Sequence, residues 1–395
     1  MSEAVIVAGA RTPMGKGKKG SLRTVRPDDL AAIAIREALR RAPGIEPAEV
    51  GDVLMGCAIP EGEQGMNVAR IASLKAGLPT DVPAATVNRF CASGLQTIAS
   101  AVDEIRSGRV DVAVAGGTES MSRVAMFSRA HPNPEFAEDW PDVYLGMGLT
   151  AENLAKKYAI SREDADRFSL ESHRKATRAI AEGKYQAETV PVTYDLRRPG
   201  AGGAIEAETL TLAVDECPRA DASLEGLAKL KPVFAAKGTV TAGNASQMSD
   251  GAAAVVLVSE DRARRLGLAP IAVLRAYAVA GVDPEVMGIG PVKAVPRALR
   301  MAGLTLDQID VIELNEAFAV QALAVMKELG LPPEKVNPNG GAVALGHPLG
   351  CTGARLVVSA LAELERRKGR YALVTMCVGG GMGAAGVLER VGSAK

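Results

Sequence analysis

The chain is short of aromatic side chains, which make up only 3% of its 395 residues, and it has only three histidines. It carries no excess of either charge: Lys+Arg and Asp+Glu both number 46. A balanced charge with no basic, aromatic-interleaved stretch argues against nucleic acid or an anionic membrane surface as partner. No run of about 18 apolar residues occurs, so no membrane span is expected. The start, MSEAVIVAGARTPMGKGKKG, has a short apolar run without a preceding basic region and does not read as a secretory signal. Cys57, Cys91, Cys217, Cys351 and Cys377 are scattered, odd in number and never spaced CxxC. That disfavours a disulfide framework or a zinc site, so no metal is expected, and it suits a reducing, cytoplasmic setting.

What is present in quantity is glycine (42 residues) and small apolar side chains, which let helices pack closely on sheets and fit a layered α/β fold. An internal repeat organises the chain. REALRRAPGIEPAEVGDVLMGCA (36–58) parallels PRALRMAGLTLDQIDVIELNEA (296–317), and CASGLQTIASAVDEIRSGRVDVAVAGG parallels CTGARLVVSALAELERRKGRYALVTMCVGG. Gly353 follows Gly94 by 259 residues, and Gly303 follows Gly44 by the same offset. Each copy reads helix, turn, strand, loop, helix, strand, with Gly108 and Gly369 ending helices and VDVAVAGG and YALVTMCVGG as strands covered on both faces. Residues 119–248 have no counterpart and form an insert. It carries most of the aromatics, among them Phe127, Phe136, Trp140, Tyr144, Phe168 and Phe234, and a helix announced by the Ser161/Asp164 capping box and ended by Gly183. The expected division is 1–118 plus 249–270, the insert 119–248, and 271–395.

Four stretches can carry chemistry. In TVNRFCASGLQ, Cys91 stands where a helix begins near Ala92 or Ser93. Unpaired N–H groups and the helix dipole there would favour a thiolate, with Ser93 and Gly94 leaving room for substrate. The alternative is a buried structural cysteine. In NPNGGAVALGHPLGCTGAR, His347 lies in a glycine-dense loop and could serve as base toward a cysteine, whereas His131 and His173 are expected at the surface. In TMCVGGGMGAAG, Cys377 ends a strand. Gly381, Gly383 and Gly386 match GxGxxG, but a strand rather than a helix follows, which excludes a dinucleotide site and leaves backbone N–H groups free for an oxyanion. In IELNEAFAVQ, Asn315 could hold a water or a carbonyl, and Glu316 could orient the histidine; helix capping is the alternative.

Together these motifs resemble the thiolase family across essentially the whole chain. VIVAGARTPMGK, NRFCASGLQ, GGTESMS, MGLTAENLA, VTAGNASQMSDGAA, NEAFA, GGAVALGHPLGCTGAR and CVGGGMGAA occur in the family's order. The resemblance implies a five-layer αβαβα fold of two duplicated halves with an inserted loop domain. It implies a reversible, CoA-dependent cleavage of 3-ketoacyl-CoA, with the acetyl-CoA acetyltransferase reaction as its short-chain case. Cys91 matches the acyl-accepting nucleophile, His347 its activating base and Cys377 the second, proton-transferring cysteine. Asn315 matches the residue holding a water that helps His347 stabilise the thioester oxygen, and the N–H groups of Cys91 and Gly379 match the other oxyanion hole. Arg219, Phe234, Ser246, Phe318 and Met147 match CoA-side contacts. The family implies CoA and acyl-CoA as substrates, no permanently bound cofactor, and a homotetramer built as a dimer of dimers. Gly226 replaces a serine found in some relatives near the adenine. Gly146 replaces a histidine common in acetoacetyl-CoA-dedicated members, which points to broader, degradative substrates. The alternatives are a non-catalytic CoA- or lipid-binding relative and a decarboxylating condensing enzyme.

Overall fold

A computed structural model describes residues 2–126, 128–199 and 205–391, so Phe127 lies outside the described residues. The strands are β1 (Ala4–Arg11), β2 (Gly15–Lys16), β3 (Asp52–Gly56), β4 (Ala84–Val87), β5 (Val112–Ser120), β6 (Val192–Pro199), β7 (Ile205–Leu212), β8 (Ser249–Ser259), β9 (Ala272–Gly281), β10 (Val311–Leu314), β11 (Tyr371–Val378) and β12 (Met382–Arg390). The helices are α1 (Pro27–Arg40), α2 (Val68–Ala76), α3 (Ser93–Arg106), α4 (Pro134–Asp139), α5 (Met147–Lys157) and α6 (Arg162–Ala181), then α7 (Leu224–Ala228), α8 (Glu260–Leu266), α9 (Gly290–Ala302), α10 (Ala319–Leu329), α11 (Ala342–Leu345) and α12 (Leu349–Arg367).

The strands run β10-β11-β12-β9-β1-β8-β5-β3-β4, with β2 paired to β8. Read outward from the centre, β1-β8-β5-β3 on one side mirrors β9-β12-β11-β10 on the other. Both β3–β5 and β10–β11 are parallel, and β5–β8 and β11–β12 antiparallel. The counterpart of β4 is reduced to the parallel bridge Ile312↔Val336. The duplication read from the sequence is thus a duplication of topology. The two half-sheets are not separate: β1 and β9 join them through Val5↔Val273 and Ile6↔Ala272.

Side-chain alternation along the strands sorts the chain into layers. Ala4, Ile6, Ala113, Ala115, Val255 and Leu257 from one half-sheet, and Val374, Met376, Ala384 and Leu388 from the other, converge on α3 and α12 in a single core. Their neighbours Val5, Val7, Val114 and Val256 face α1 and α2, while Leu373, Ala385 and Val387 face α9 and α10. The order α1/α2, sheet, α3/α12, sheet, α9/α10 is the five-layer αβαβα arrangement.

Gly94 and Gly353, the matched pair of the repeat, lie where α3 crosses α12. A Cβ on Gly94 would stand 2.7 Å from Ala354 N, and one on Gly353 would stand 2.3 Å from Leu95 N. Gly94 therefore permits helix contact and does not open a path for substrate, as its position beside Cys91 had suggested. Gly108 does end α3 with a φ of 74°, and Gly183 follows the capped helix α6 with a φ of 69°. Gly369 is not the stop of α12: Lys368 takes the left-handed cap, at φ 54°.

The insert is tied down by a buried charge cluster. Arg11, at the end of β1, donates Nε to Glu188 (2.6 Å) and both Nη atoms to Asp215 (2.8 Å each), and its guanidinium lies 5.0 Å from the Tyr185 ring centroid. Arg11→Met would leave two carboxylates buried without their cation. It is expected to lower the unfolding free energy by about 3–5 kcal/mol, read as a lowered denaturant midpoint at unchanged m-value.

Candidate functional site

Cys91 sits in a single 3-10 turn, Phe90–Ala92, that leads directly into α3. Ser93 holds the turn: its Oγ accepts from Arg89 N–H (2.9 Å) and donates to the Phe90 carbonyl (2.7 Å). The turn bends hard enough to put Phe90 at φ 43°, a left-handed conformation that costs a bulky residue on the order of 1–3 kcal/mol. Cys91 is only 9% exposed, in an apolar nest with Ile59, Met121, Val124 and Leu349. Burial there pushes the thiol up to about 12, although the Gly379 N–H and its own N–H both favour the anion. The helix N-terminus thus does not deliver a resting thiolate, contrary to the sequence expectation, because desolvation outweighs it.

His347 is brought to the same place from the opposite half. Gly346, at φ 95°, turns the chain where a Cβ would fall 1.9 Å from Ser249 Oγ, and His347 N–H donates to the Gln247 carbonyl (3.1 Å). The Thr352 hydroxyl donates to the Pro348 carbonyl (2.9 Å), so its oxygen accepts from His347 Nδ1–H at 2.6 Å. This fixes the tautomer and leaves Nε2 unprotonated, 3.3 Å from Asn315 Nδ2. Burial, with a smaller push from the Arg355 charge, lowers the imidazole to about 3. The thiol of Cys91 and the imidazole of His347 are therefore both neutral at rest.

Asn315 follows β10 and is fixed by its N–H on the Thr375 carbonyl (2.9 Å). Its Oδ1 is buried with no hydrogen-bond partner among the described residues, which suits accepting from a water rather than holding a carbonyl. Glu316 does not orient the histidine. It accepts from Ser172 Oγ (2.7 Å), Asn337 Nδ2 (2.7 Å) and Val343 N–H (3.1 Å), and so clamps α6 to the segment before α11. Thr352 is the residue in contact with His347 that the sequence reading missed; its spacing of five from the histidine in GHPLGCT was the available signal.

Cys377 ends β11 fully buried, beside Met147, Met287, Ala317 and Phe318. Burial, with a smaller contribution from Cys91, pushes its thiol well above the ordinary cysteine range. Cys91 in its turn, His347 before α12, and Cys377 with Gly379 at the end of β11 thus converge from three segments.

On the approach side, Phe234 and Phe318 meet edge to face with centroids 6.1 Å apart. Gly148, next to Met147, is pressed so closely on Phe234 that a Cβ would strike the ring at 2.2 Å. Ser246 N–H donates to the Ala317 carbonyl (2.9 Å), beside Phe318. Arg219 is exposed, with its N–H donating to Nδ1 of His173 (3.1 Å). His173 is consequently not a surface residue: it is buried, neutral and pushed down to about 4 by burial. His131 is exposed.

Comparison with known proteins accords with this architecture. The model for the thiolase N-terminal domain matches residues 4–261, and that for the thiolase C-terminal domain matches 268–390. The chain belongs to the thiolase family. It is 55% identical, over 98% of its length and 100% of the relative's, to the 3-ketoacyl-CoA thiolase of Bacillus subtilis (strain 168). It is 46% identical to the peroxisomal 3-ketoacyl-CoA thiolase A of Mus musculus, over 99% of this chain and 92% of that one. The crystal structure of the Bacillus anthracis acetyl-CoA acetyltransferase superposes with a TM-score of 0.90 at 43% identity, covering 99% of each chain. This thiolase is accordingly an acyltransferase. None of its described helices is long and apolar enough to cross a membrane.

Proposed function

We propose that this thiolase cleaves 3-ketoacyl-CoA with free CoA, giving acetyl-CoA and an acyl-CoA two carbons shorter, in fatty-acid degradation. The observation that carries the reading is the juxtaposition of two buried cysteines with a neutral, tautomer-fixed histidine and the Gly379 N–H at the nucleophilic sulfur. His347 Nε2 takes the proton from Cys91 as sulfur bonds to C3 of the substrate. The resulting alkoxide is met by the N–H groups of Cys91 and Gly379. The C2–C3 bond then breaks, its electron pair passes to C2, and Cys377 protonates that carbon as acetyl-CoA departs. Its thioester oxygen is met by His347 and by a water held on Asn315. The thiol of a second CoA passes its proton to the Cys377 thiolate and attacks the acyl-Cys91 thioester, and His347 returns its proton to the departing Cys91 sulfur, so that the shortened acyl-CoA leaves and both cysteines are restored.

Met147, Phe234, Ser246 and Phe318 are assigned to the pantetheine side and Arg219 to the nucleotide end. We assign residues 1–118 with 249–270 to one half, 271–395 to the other, and 119–248 to the CoA-binding insert, and propose a cytoplasmic homotetramer built as a dimer of dimers. The gathering of all three reactive residues argues against a non-catalytic relative, and the second cysteine argues against a decarboxylating condensing enzyme. Gly146 favours broad chain length: a Cβ there would meet nothing within 4 Å, so the entrance to α5 is open. The test is steady-state thiolysis of acetoacetyl-CoA and of a longer 3-ketoacyl-CoA. Comparable kcat/KM on both is expected, and cleavage of acetoacetyl-CoA alone would favour the short-chain acetyltransferase reading instead.

A further inference from the structure

The duplication gives each active-site segment a counterpart in the other half of the chain. The parallel pairs Val53↔Val114 and Val311↔Ala372 are related by a single shift of 258 residues. Followed along the strands, that shift makes Glu119 the counterpart of Cys377 and Cys57 the counterpart of Asn315. The shift of 259 that relates Gly94 to Gly353 makes Gly350 the counterpart of Cys91. These counterparts also meet in space. A Cβ on Gly350 would lie 2.9 Å from Glu119 Oε2, and Cys57 Sγ lies 3.7 Å from Glu119 Oε1. The first half therefore repeats the framework of the working site, with a glycine in place of the nucleophile and a glutamate in place of the second cysteine.

Glu119 is 1% exposed, and its carboxylate is surrounded by donors. Oε2 accepts from the N–H groups of Ala58 and Gly350, at 2.8 Å each. Oε1 accepts from Ile59 N–H (3.3 Å) and Gln64 Nε2 (2.5 Å). The Gln64 amide is fixed by its other end, since its Oε1 accepts from Ser120 N–H (2.5 Å). Burial raises the pKa of the Glu119 carboxyl above the usual glutamate value. The ionised form is nonetheless the one that uses every donor, because a proton on either oxygen would face an N–H.

The two sides of this clamp serve different parts of the chemistry. Gly350 is the second residue of α12, and Pro348, at the N-cap, makes no side-chain cap. Helix starts leave their first N–H groups unpaired and favour a negative charge, so Glu119 supplies from β5 the cap that α12 lacks. The same first turn carries Thr352, whose hydroxyl holds His347 Nδ1–H. On the other side, Ala58 and Ile59 pack in the nest of Cys91 together with Leu349, the first residue of α12.

We propose that Glu119 is a positioning residue for the reaction: its carboxylate takes the place that Cys377 has in the working site and fastens the start of α12, and with it His347, to the wall of the Cys91 pocket. A residue of this kind touches no reacting atom. It sets the distance between base and nucleophile, on which proton transfer depends steeply.

The proposal rests on His347 as the base, so His347→Ala is assayed in parallel. Full activity in that variant would overturn the base assignment, and with it any catalytic effect of the clamp, whereas the imidazole resonances read the clamp separately. Glu119→Asp keeps the charge but withdraws it by one methylene, so both oxygens cannot reach their present partners. In thiolysis of acetoacetyl-CoA its kcat is expected to fall about 10- to 100-fold, with KM within about threefold of wild type. With 15N-labelled histidine, the ring-nitrogen resonances of His347 should move while those of His173 and His131 stay in place. A merely structural role would leave His347 in register or disturb His173 as well. Glu119→Gln keeps the reach but offers one acceptor oxygen instead of two, and the same result is expected of it if the aspartate protein does not fold. Wild-type kcat or unmoved His347 resonances in a folded variant overturn the positioning role, and so do His173 resonances that shift along with those of His347. Loss of the fold in both variants would make Glu119 a stability residue, which overturns it too.

Discussion

Cys91→Ala is expected to lower thiolysis by about 10⁵–10⁶-fold while leaving the fold in place, and Cys377→Ala to lower it by about 10³–10⁴-fold. The two losses differ in kind. The Cys91 sulfur meets its own N–H and that of Gly379, and in the proposed mechanism no covalent intermediate forms without it. In the same mechanism the loss of Cys377 removes the proton carrier at C2. Incubation with acetyl-CoA followed by intact mass spectrometry separates them. The Cys377→Ala protein should gain one acetyl group on Cys91 yet fail to form acetoacetyl-CoA, and the Cys91→Ala protein should gain none. Each substitution removes one buried sulfur, a stability cost of about 1 kcal/mol, so circular dichroism and the melting curve should change little. Acetylation of the Cys91→Ala protein at another residue, or normal turnover by Cys377→Ala, would sink the assignment.

The same pair shows what a sequence can and cannot disclose. The positions of Cys91, His347, Asn315 and Cys377 at the ends of apolar runs were legible, because strand termini and tight glycine turns leave a local pattern. The repeat was legible for the same reason, and it predicted the mirrored strand orders around β1 and β9. The sign of the Cys91 perturbation was not. A helix N-terminus is visible in sequence, but the burial that outweighs it comes from Ile59, Met121, Val124 and Leu349, which are remote in the chain. His173 misled in the same way. On a polar helix it looked solvated, yet the 217–223 segment folds over it through the Arg219 N–H. Glu316 was read as able to orient the histidine because it ends an apolar run beside Asn315, and only the tertiary structure reveals Ser172, Asn337 and Val343 as its partners. Gly94 was over-read as space for substrate, and the glycines around His347 serve packing too: Gly341 faces the Glu316 carboxylate and Gly350 faces the Cys57 backbone.

Gly94→Val and Gly353→Val are expected to abolish activity and to destabilise the fold by more than about 3 kcal/mol each, beyond the usual range for overpacking. The reason is that each new side chain meets backbone. A Cβ at Gly94 would lie 2.7 Å from Ala354 N and 2.9 Å from Gly350 O, and one at Gly353 would lie 2.3 Å from Leu95 N and 3.1 Å from Gly94 C. A flexible side chain could rotate away; a helix backbone cannot, so α3 and α12 must separate. Their separation reaches the chemistry at once. Cys91 lies in the turn that starts α3 and His347 just before α12, so the crossing that the two glycines permit is also what sets the nucleophile beside the base. Gly117 shares the constraint, since its Cβ would fall 2.0 Å from the Gly350 carbonyl. A control at Gly77, at the C-cap of α2, separates general glycine strain from this specific crossing. It has a φ of 96° and open space around a Cβ, so Gly77→Ala should cost about 1 kcal/mol and leave kcat/KM intact. Soluble, active Gly94→Val protein with an unchanged melting temperature would show that the helices tolerate a wider crossing, and that the register of the two halves is set elsewhere.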